Sequence, residues 1–241
     1  MREPDANVED WICPRCGGDG FVLDAAGDAV VCQCRAARVR RARSMGWASV
    51  IPRKYKGVSF ERAPVNALSQ DIVRPVKRFV REIDENVAKG RGLWLMGDVG
   101  TGKTTLAMIV SKAALSNGHS VAIYSVPRLL AEIRDTYDAS GHERSYAQFF
   151  DQLVSVDLLH LDDLGAERQT DWVLEQLYSL VNERWEAERS ILVTTNLTEV
   201  QELEQQIGKR TVSRLTEMTD QLPLYGPDLR ESFDSTRSAL G

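Results

Sequence analysis

A short apolar run, Gly92-Leu-Trp-Leu-Met96, leads directly into Gly97-Asp98-Val99-Gly100-Thr101-Gly102-Lys103-Thr104-Thr105, and a helix-compatible stretch continues from Lys103 to Asn117. No other part of the chain constrains the fold as tightly. Gly97 to Thr104 match G-x-x-x-x-G-K-[ST], a turn whose glycines let the backbone curl until its N–H groups, backed by a helix N-terminus, surround phosphate oxygens. In such a turn Lys103 reaches the β and γ oxygens and the Thr104 hydroxyl ligates Mg²⁺, so Gly97 through Thr105 form the expected nucleotide cradle.

The rest of the chain supplies the sheet that such a turn requires. Apolar runs recur at 120–124 (SVAIY), 156–161 (VDLLHL) and 190–195 (SILVTT). With 92–96 they make four candidate strands, continuous as strands covered on both faces should be. Helices are predicted between them, at 103–117, 126–137, 145–152 and 170–188. The last carries Val173, Leu177, Leu180 and Trp185, which its periodicity assigns to the core. A further helix starts near Asp71, with Ile72, Val76, Phe79, Val80, Ile83 and Val87 on one face, Pro75 near its start or at a kink, and Gly90 at its end. The alternation predicts an α/β fold with a parallel sheet flanked by helices.

Two carboxylates, Asp162 and Asp163, close the 156–161 run. Crowded like charges at the end of a buried strand are unfavourable without a cation. Asp162 is therefore expected to hold the magnesium side of the site, and Asp163, with Glu167 as an alternative, to orient or deprotonate attacking water. Asn196, at the tip of the following strand, is positioned to sense the γ-phosphate. Further on, Arg210 and Arg214 stand one helical turn apart, where a guanidinium can reach phosphate oxygens of a neighbouring subunit.

All four cysteines lie in the first 34 residues: Cys13-x₂-Cys16 and Cys32-x-Cys34, around a hairpin predicted from Phe21–Leu23 and Ala29–Val31. Gly17, Gly18 and Gly20 permit the tight turn. Four thiolates fit a closed tetrahedral zinc site better than a redox dithiol, which needs one pair. Next comes a connector, 35–57, in which Arg35 to Lys56 hold eight basic residues and no acidic one, although the net charge of the chain is −5. It reads either as a solvated linker or as a patch for nucleic-acid phosphate or an acidic partner. No apolar run approaches the roughly 20 residues of a membrane helix. The start, MREPDANVED, is acidic where a secretory signal is basic and then apolar. A cytoplasmic protein without a membrane partner is expected.

These motifs together, with IPRKYKGVSF, LDDLGAE, DWVLEQLYSLVNER, ILVTTNL and IGKRTVSRL, resemble the AAA+ ATPases of the DnaC/DnaI helicase-loader and IstB transposition-helper group from about Ile51 to Arg230. The resemblance implies an ATP hydrolase. It implies that Asn196 is the sensor-1 residue, Arg214 the arginine finger acting in trans with Arg210 as competitor, and Arg230 the sensor-2 arginine. It implies that IPRKYKG borders the adenine, and that the 125–138 segment, with Arg128 and Arg134, touches single-stranded DNA. Asp163 departs from the glutamate common in AAA+ enzymes, which leaves the water-activating group open. The front cysteines resemble the zinc-bearing domain with which DnaI-like loaders dock on a DnaB-type replicative helicase. The implied organisation is a zinc-binding module (1–34), a basic connector (35–57) and an AAA+ domain with a truncated lid (58–241). The implied role is helicase loading during replication initiation, with ATP, Mg²⁺ and Zn²⁺ as cofactors and self-association through the ATP site. An IstB-like transposition helper, and a nucleic-acid-binding adaptor that holds ATP without turnover, are the alternatives.

Overall fold

The computed structural model describes residues 15–16, 21–24, 27–32, 51–137 and 145–229. Cys13, Cys34, most of the basic connector and Arg230 lie outside them. The front hairpin pairs β1 (Phe21–Leu23) antiparallel with β2 (Ala29–Val31), as expected, with Phe21 opposite Val31.

The main sheet contains β3 (Gly92–Gly97), β4 (Val121–Ser125), β5 (Leu158–Leu164), β6 (Ser190–Thr195) and β7 (Thr219–Leu224). Its order is β4-β5-β6-β3-β7, and every neighbouring pair is parallel. Four of these strands are the predicted ones with slightly shifted ends. β7 is an additional fifth strand.

The helices are α1 (Gln70–Arg81), α2 (Ile83–Ala88), α3 (Lys103–Ser116), α4 (Val126–Asp135), α5 (Tyr146–Ser155), α6 (Asp171–Glu186), α7 (Val200–Ile207) and α8 (Lys209–Met218). The single helix expected from Asp71 to Gly90 is two. It runs through Pro75 and breaks at Glu82, where the Asn86 amide donates to the Phe79 carbonyl at 3.2 Å and occupies an acceptor that the break releases. Gly90 ends α2 at a φ of +66°; a side chain there would lie 2.6 Å from the Glu188 backbone.

Alternation along the strands builds two cores. Trp94, Tyr124, Leu159, Leu161, Ile191 and Val193 face α4 to α8. Leu93, Leu95, Val121, Leu158, Leu192 and Leu224 face α1 to α3. Successive side chains point to opposite faces of a strand, so a run apolar at every position is what a sheet covered on both sides needs. Among the described residues no helix is long and apolar enough to cross a membrane.

Candidate nucleotide-binding site

The site lies at the carboxyl ends of the strands, where β3 hands over to α3. Gly100 and Gly102 take φ values of +81° and +92°, and Gly102 caps α3 in the left-handed region that only glycine enters freely. A side chain at Gly100 would collide with the Asp228 carboxylate, 1.9 Å from the added carbon. The Leu229 N–H donates to the Gly100 carbonyl at 3.1 Å, so the segment after β7 crosses the turn. Arg230 follows immediately but is outside the described residues.

Lys103 is 5% exposed, and its ammonium donates to the carbonyls of Gly97 at 2.7 Å and Asp98 at 2.6 Å. Thr101 also binds the Asp98 carbonyl, at 2.8 Å, while Asp98 and Val99 are exposed. A buried ammonium at the start of α3, held by two carbonyls of a glycine-rich turn, suits phosphate oxygens. Lys112, two turns along α3, donates to the carbonyls of Lys56 at 2.8 Å and Val58 at 2.9 Å. This ties the end of the IPRKYKGVSF stretch to the helix that leaves the turn.

The acids arrive from β5 through a backbone irregularity. Between Leu161 and Leu164, β5 uses one residue more than β6, whose Val193 and Thr195 pair with those two positions. Asp163 absorbs the excess at a φ of +59°, a left-handed conformation that Asp tolerates better than most residues. The Thr104 hydroxyl donates to Asp162 Oδ1 at 2.9 Å, and the Thr194 hydroxyl donates to the same oxygen at 2.7 Å. The Asp163 N–H donates to Thr194 Oγ1 at 2.9 Å.

Behind them His160, fully buried in β5, shares a hydrogen bond between Nδ1 and Ser111 Oγ at 3.0 Å. Its Nε2 is 3.9 Å from Asp162 Oδ1, too far for a hydrogen bond. Burial opposes ionisation of Asp162, but His160, Thr194 and Thr104 outweigh it and hold this carboxyl below the usual range. An ionised carboxylate beside a threonine hydroxyl is an all-oxygen pair that fits Mg²⁺.

Neither Thr194 nor His160 was singled out from sequence. Their signal in the sequence is a polar side chain within a largely apolar run, His160 in VDLLHL and Thr194 in SILVTT. Glu167 is 8% exposed, and its Oε2 accepts the Gly165 N–H at 3.0 Å within its own turn; burial raises its pKa. Asn196 stands exposed one residue beyond β6. Arg210 and Arg214 both lie on α8, against α6 rather than beside the turn. Arg128 pairs with Glu132 at 2.9 Å on α4, and Arg134 lies 4.8 Å from the Trp172 ring.

Among the described residues the front hairpin brings together no group of three or more potential metal ligands. Cys16 and Cys32, 8% and 3% exposed, pack together with Val22, while Phe21, Leu23, Val30 and Val31 are exposed. Two buried thiols brought together fit half of a tetrahedral thiolate set; the other two cysteines are outside the described residues.

A parallel five-stranded sheet with a phosphate turn after its fourth strand in spatial order, and paired acids on the second, is the layout of an AAA+ P-loop nucleotide-binding protein. Residues 32–225 match the family model described as IstB-like ATP binding protein, and the chain belongs to that family. The replicative helicase loader DnaC of Escherichia coli (strain K12) is 28% identical over 162 residues, 67% of this chain and 64% of that protein. The replicative helicase loader DnaI of Bacillus subtilis (strain 168) is 26% identical over 126 residues, 52% of this chain and 39% of that protein. A crystal structure of the DnaC helicase loader matches with a TM-score of 0.63 at 25% identity, covering 72% of this chain and 99% of that one. The matched region thus spans 64% of the DnaC relative's length.

Proposed function

We propose that the chain is an ATP-hydrolysing loader that delivers a hexameric DnaB-type helicase to single-stranded DNA at replication initiation, in the cytoplasm. The observation that carries the enzymatic part is the convergence of Thr104 and Thr194 on one oxygen of Asp162, beside Lys103. Lys103 binds the β and γ oxygens. Thr104 and Asp162 hold Mg²⁺, which when bound neutralises developing phosphate charge. Asp163, or failing it Glu167, orients water; Asn196 senses the γ-phosphate and Arg230 contacts it. Arg214, or its competitor Arg210, serves the nucleotide of a second copy.

The partner assignments rest on the names of the relatives and on local chemistry. Arg134 beside Trp172, near the stacked rings of Tyr137 and Tyr146, suits a strand of unpaired bases better than a duplex, and Arg128 adds charge on the same helix. Residues 1–34, stapled by zinc through Cys13, Cys16, Cys32 and Cys34, and the basic connector 35–57 grip the helicase, leaving 58–241 as the ATPase. Transposition help is less favoured because these curated relatives are helicase loaders.

The deciding experiment is co-migration of the purified chain with the replicative helicase of its host, with and without residues 1–57, together with helicase deposition on DNA. Binding and deposition that both require 1–57 support the reading. Absence of both with the intact chain sinks it.

A further inference from the structure

Tyr178, Asn182 and Trp185 follow one another on α6 at intervals of four and three residues and so share a face. The two arginines of α8 lie along it. The Arg214 guanidinium carbon is 3.6 Å from the centroid of Trp185, and its Nε donates to Asn182 Oδ1 at 3.2 Å. Its Nη1 is 3.5 Å from Glu217 Oε1, on a side chain 49% exposed. Arg210, by contrast, is exposed and, among the described residues, lies 5.4 Å from the Tyr178 ring. One face and one edge of the Arg214 plane are therefore held, with a looser contact to Glu217 at a second edge, whereas Arg210 meets its ring on one side. Trp185, assigned to the core by its periodicity, packs on the core and also carries this guanidinium.

The strand register locates the pair. α8 runs into β7 at Thr219, which is paired with Gly92 at the start of β3; the phosphate turn follows Gly97, which is paired with Leu224. Five residues of strand separate those levels by about 16 Å. Trp185 and Glu217 line a surface hollow with Lys89, Gly90 and Arg91 of the turn entering β3, at the end of the sheet opposite Lys103. The Arg214 side chain remains 28% exposed. A phosphate that meets it belongs to another molecule.

We propose that Trp185, assisted by Asn182, is a positioning residue that holds Arg214 pre-oriented for the γ-phosphate of nucleotide bound by a second copy of this chain. The proposal rests on the trans-arginine reading above. The indole fixes the plane of the guanidinium, Asn182 fixes its rotation about that plane, and the arriving phosphate displaces the loose contact with Glu217. A planar group held by its face and one edge loses little further freedom when it binds.

The test compares ATP turnover, stimulated by single-stranded DNA, in Trp185→Leu, Trp185→Phe, Asn182→Ala and Arg214→Ala. Each is measured alone and in an equimolar mixture with Lys103→Ala, whose own site is dead but whose Arg214 is held. Trp185→Leu should lower kcat roughly tenfold with KM for ATP unchanged, a loss in the range of a partly desolvated cation–π contact. Trp185→Phe should recover most of it, since phenylalanine keeps a ring face. Mixing Trp185→Leu with Lys103→Ala should raise turnover above either alone. A loss that phenylalanine does not rescue and mixing does not restore overturns the proposal, because it marks a merely structural tryptophan. If Trp185→Leu does not fold, Asn182→Ala carries the same mixing test. Wild-type kcat in Trp185→Leu beside a crippled Arg214→Ala overturns positioning alone; wild-type turnover in Arg214→Ala instead removes the trans-arginine reading beneath it.

Discussion

The Thr194 hydroxyl donates to Asp162 Oδ1 at 2.7 Å and accepts the N–H of Asp163 at 2.9 Å, so one buried side chain of β6 orders both acids of β5. Thr194→Val keeps the approximate shape and removes both bonds. Turnover dependent on Mg²⁺ should fall by roughly 10- to 100-fold, the usual effect of losing an outer partner of a metal-binding group. Nucleotide binding without Mg²⁺ should be unchanged, and Thr194→Ser should keep most activity. Steady-state rates across a Mg²⁺ titration decide it; an unaltered valine variant would mean that Asp162 needs no such ordering.

Arg184 is the largest polar investment in the core. It is fully buried, and its guanidinium donates to the carbonyls of Leu153 at 2.6 Å, Val154 and Val156 at 3.0 Å, and Asp157 at 3.4 Å, as well as to Ser190. It thereby joins the end of α5 to the starts of β5 and β6. Burial, reinforced by Arg189 and opposed by Asp157, pushes its pKa down to about 9, still charged at neutral pH. Arg184→Ala strands these acceptors and should destabilise the fold by about 3–5 kcal/mol. Arg184→Lys, with fewer donors and no planar fork, should recover only part. Chemical denaturation with and without nucleotide would show whether the loss is in stability alone.

Much of this was legible in order along the chain, and the exceptions share a cause. The phosphate turn, the acids after the third apolar run and α8 are local patterns, each visible within a dozen residues. The role of Thr194 depends on which residue of β5 lies across from it, and that register includes a bulge no local pattern announces. β7 escaped because it is an edge strand: Asp220, Gln221 and Pro223 are exposed on it, and only Thr219 and Leu224 are buried. Polar residues and proline at an edge discourage pairing with other chains and also erase the apolar run by which buried strands are found. Trp185 fell on the core face by its spacing, correctly, but the guanidinium on its other side comes from α8, nearly thirty residues away.

Glu167 gives a pH-dependent prediction. Burial raises its carboxyl pKa above the ordinary value, so the folded chain binds a proton that the unfolded chain has already released. Stability is then greatest below the unfolded pKa and declines as pH rises through the window up to the folded one. Glu167→Gln keeps an acceptor for the Gly165 N–H and removes the ionisation. It should be more stable than the parent at neutral pH, with the difference vanishing near pH 4. Urea midpoints at several pH values measure this directly; equal midpoints at neutral pH would show that the carboxylate is compensated.

The front hairpin supplies the last test. Three-residue strands with Phe21, Leu23, Val30 and Val31 exposed cannot sustain themselves in water, and the burial in the described part of this segment is concentrated in Cys16 and Cys32. A thiolate-bound zinc would hold the two strands together and can contribute on the order of 10–16 kcal/mol. The intact chain should carry one zinc, released by a strong chelator and missing from Cys16→Ser. ATP binding should survive in that variant, since the phosphate turn draws on β3 and α3, while helicase binding should be lost. Zinc content by metal analysis, alongside nucleotide binding and helicase co-migration, separates the outcomes. A metal-free chain that still binds helicase would leave the cysteines without the stapling role, whereas loss of ATP binding in Cys16→Ser would show that the hairpin supports the nucleotide site rather than the partner.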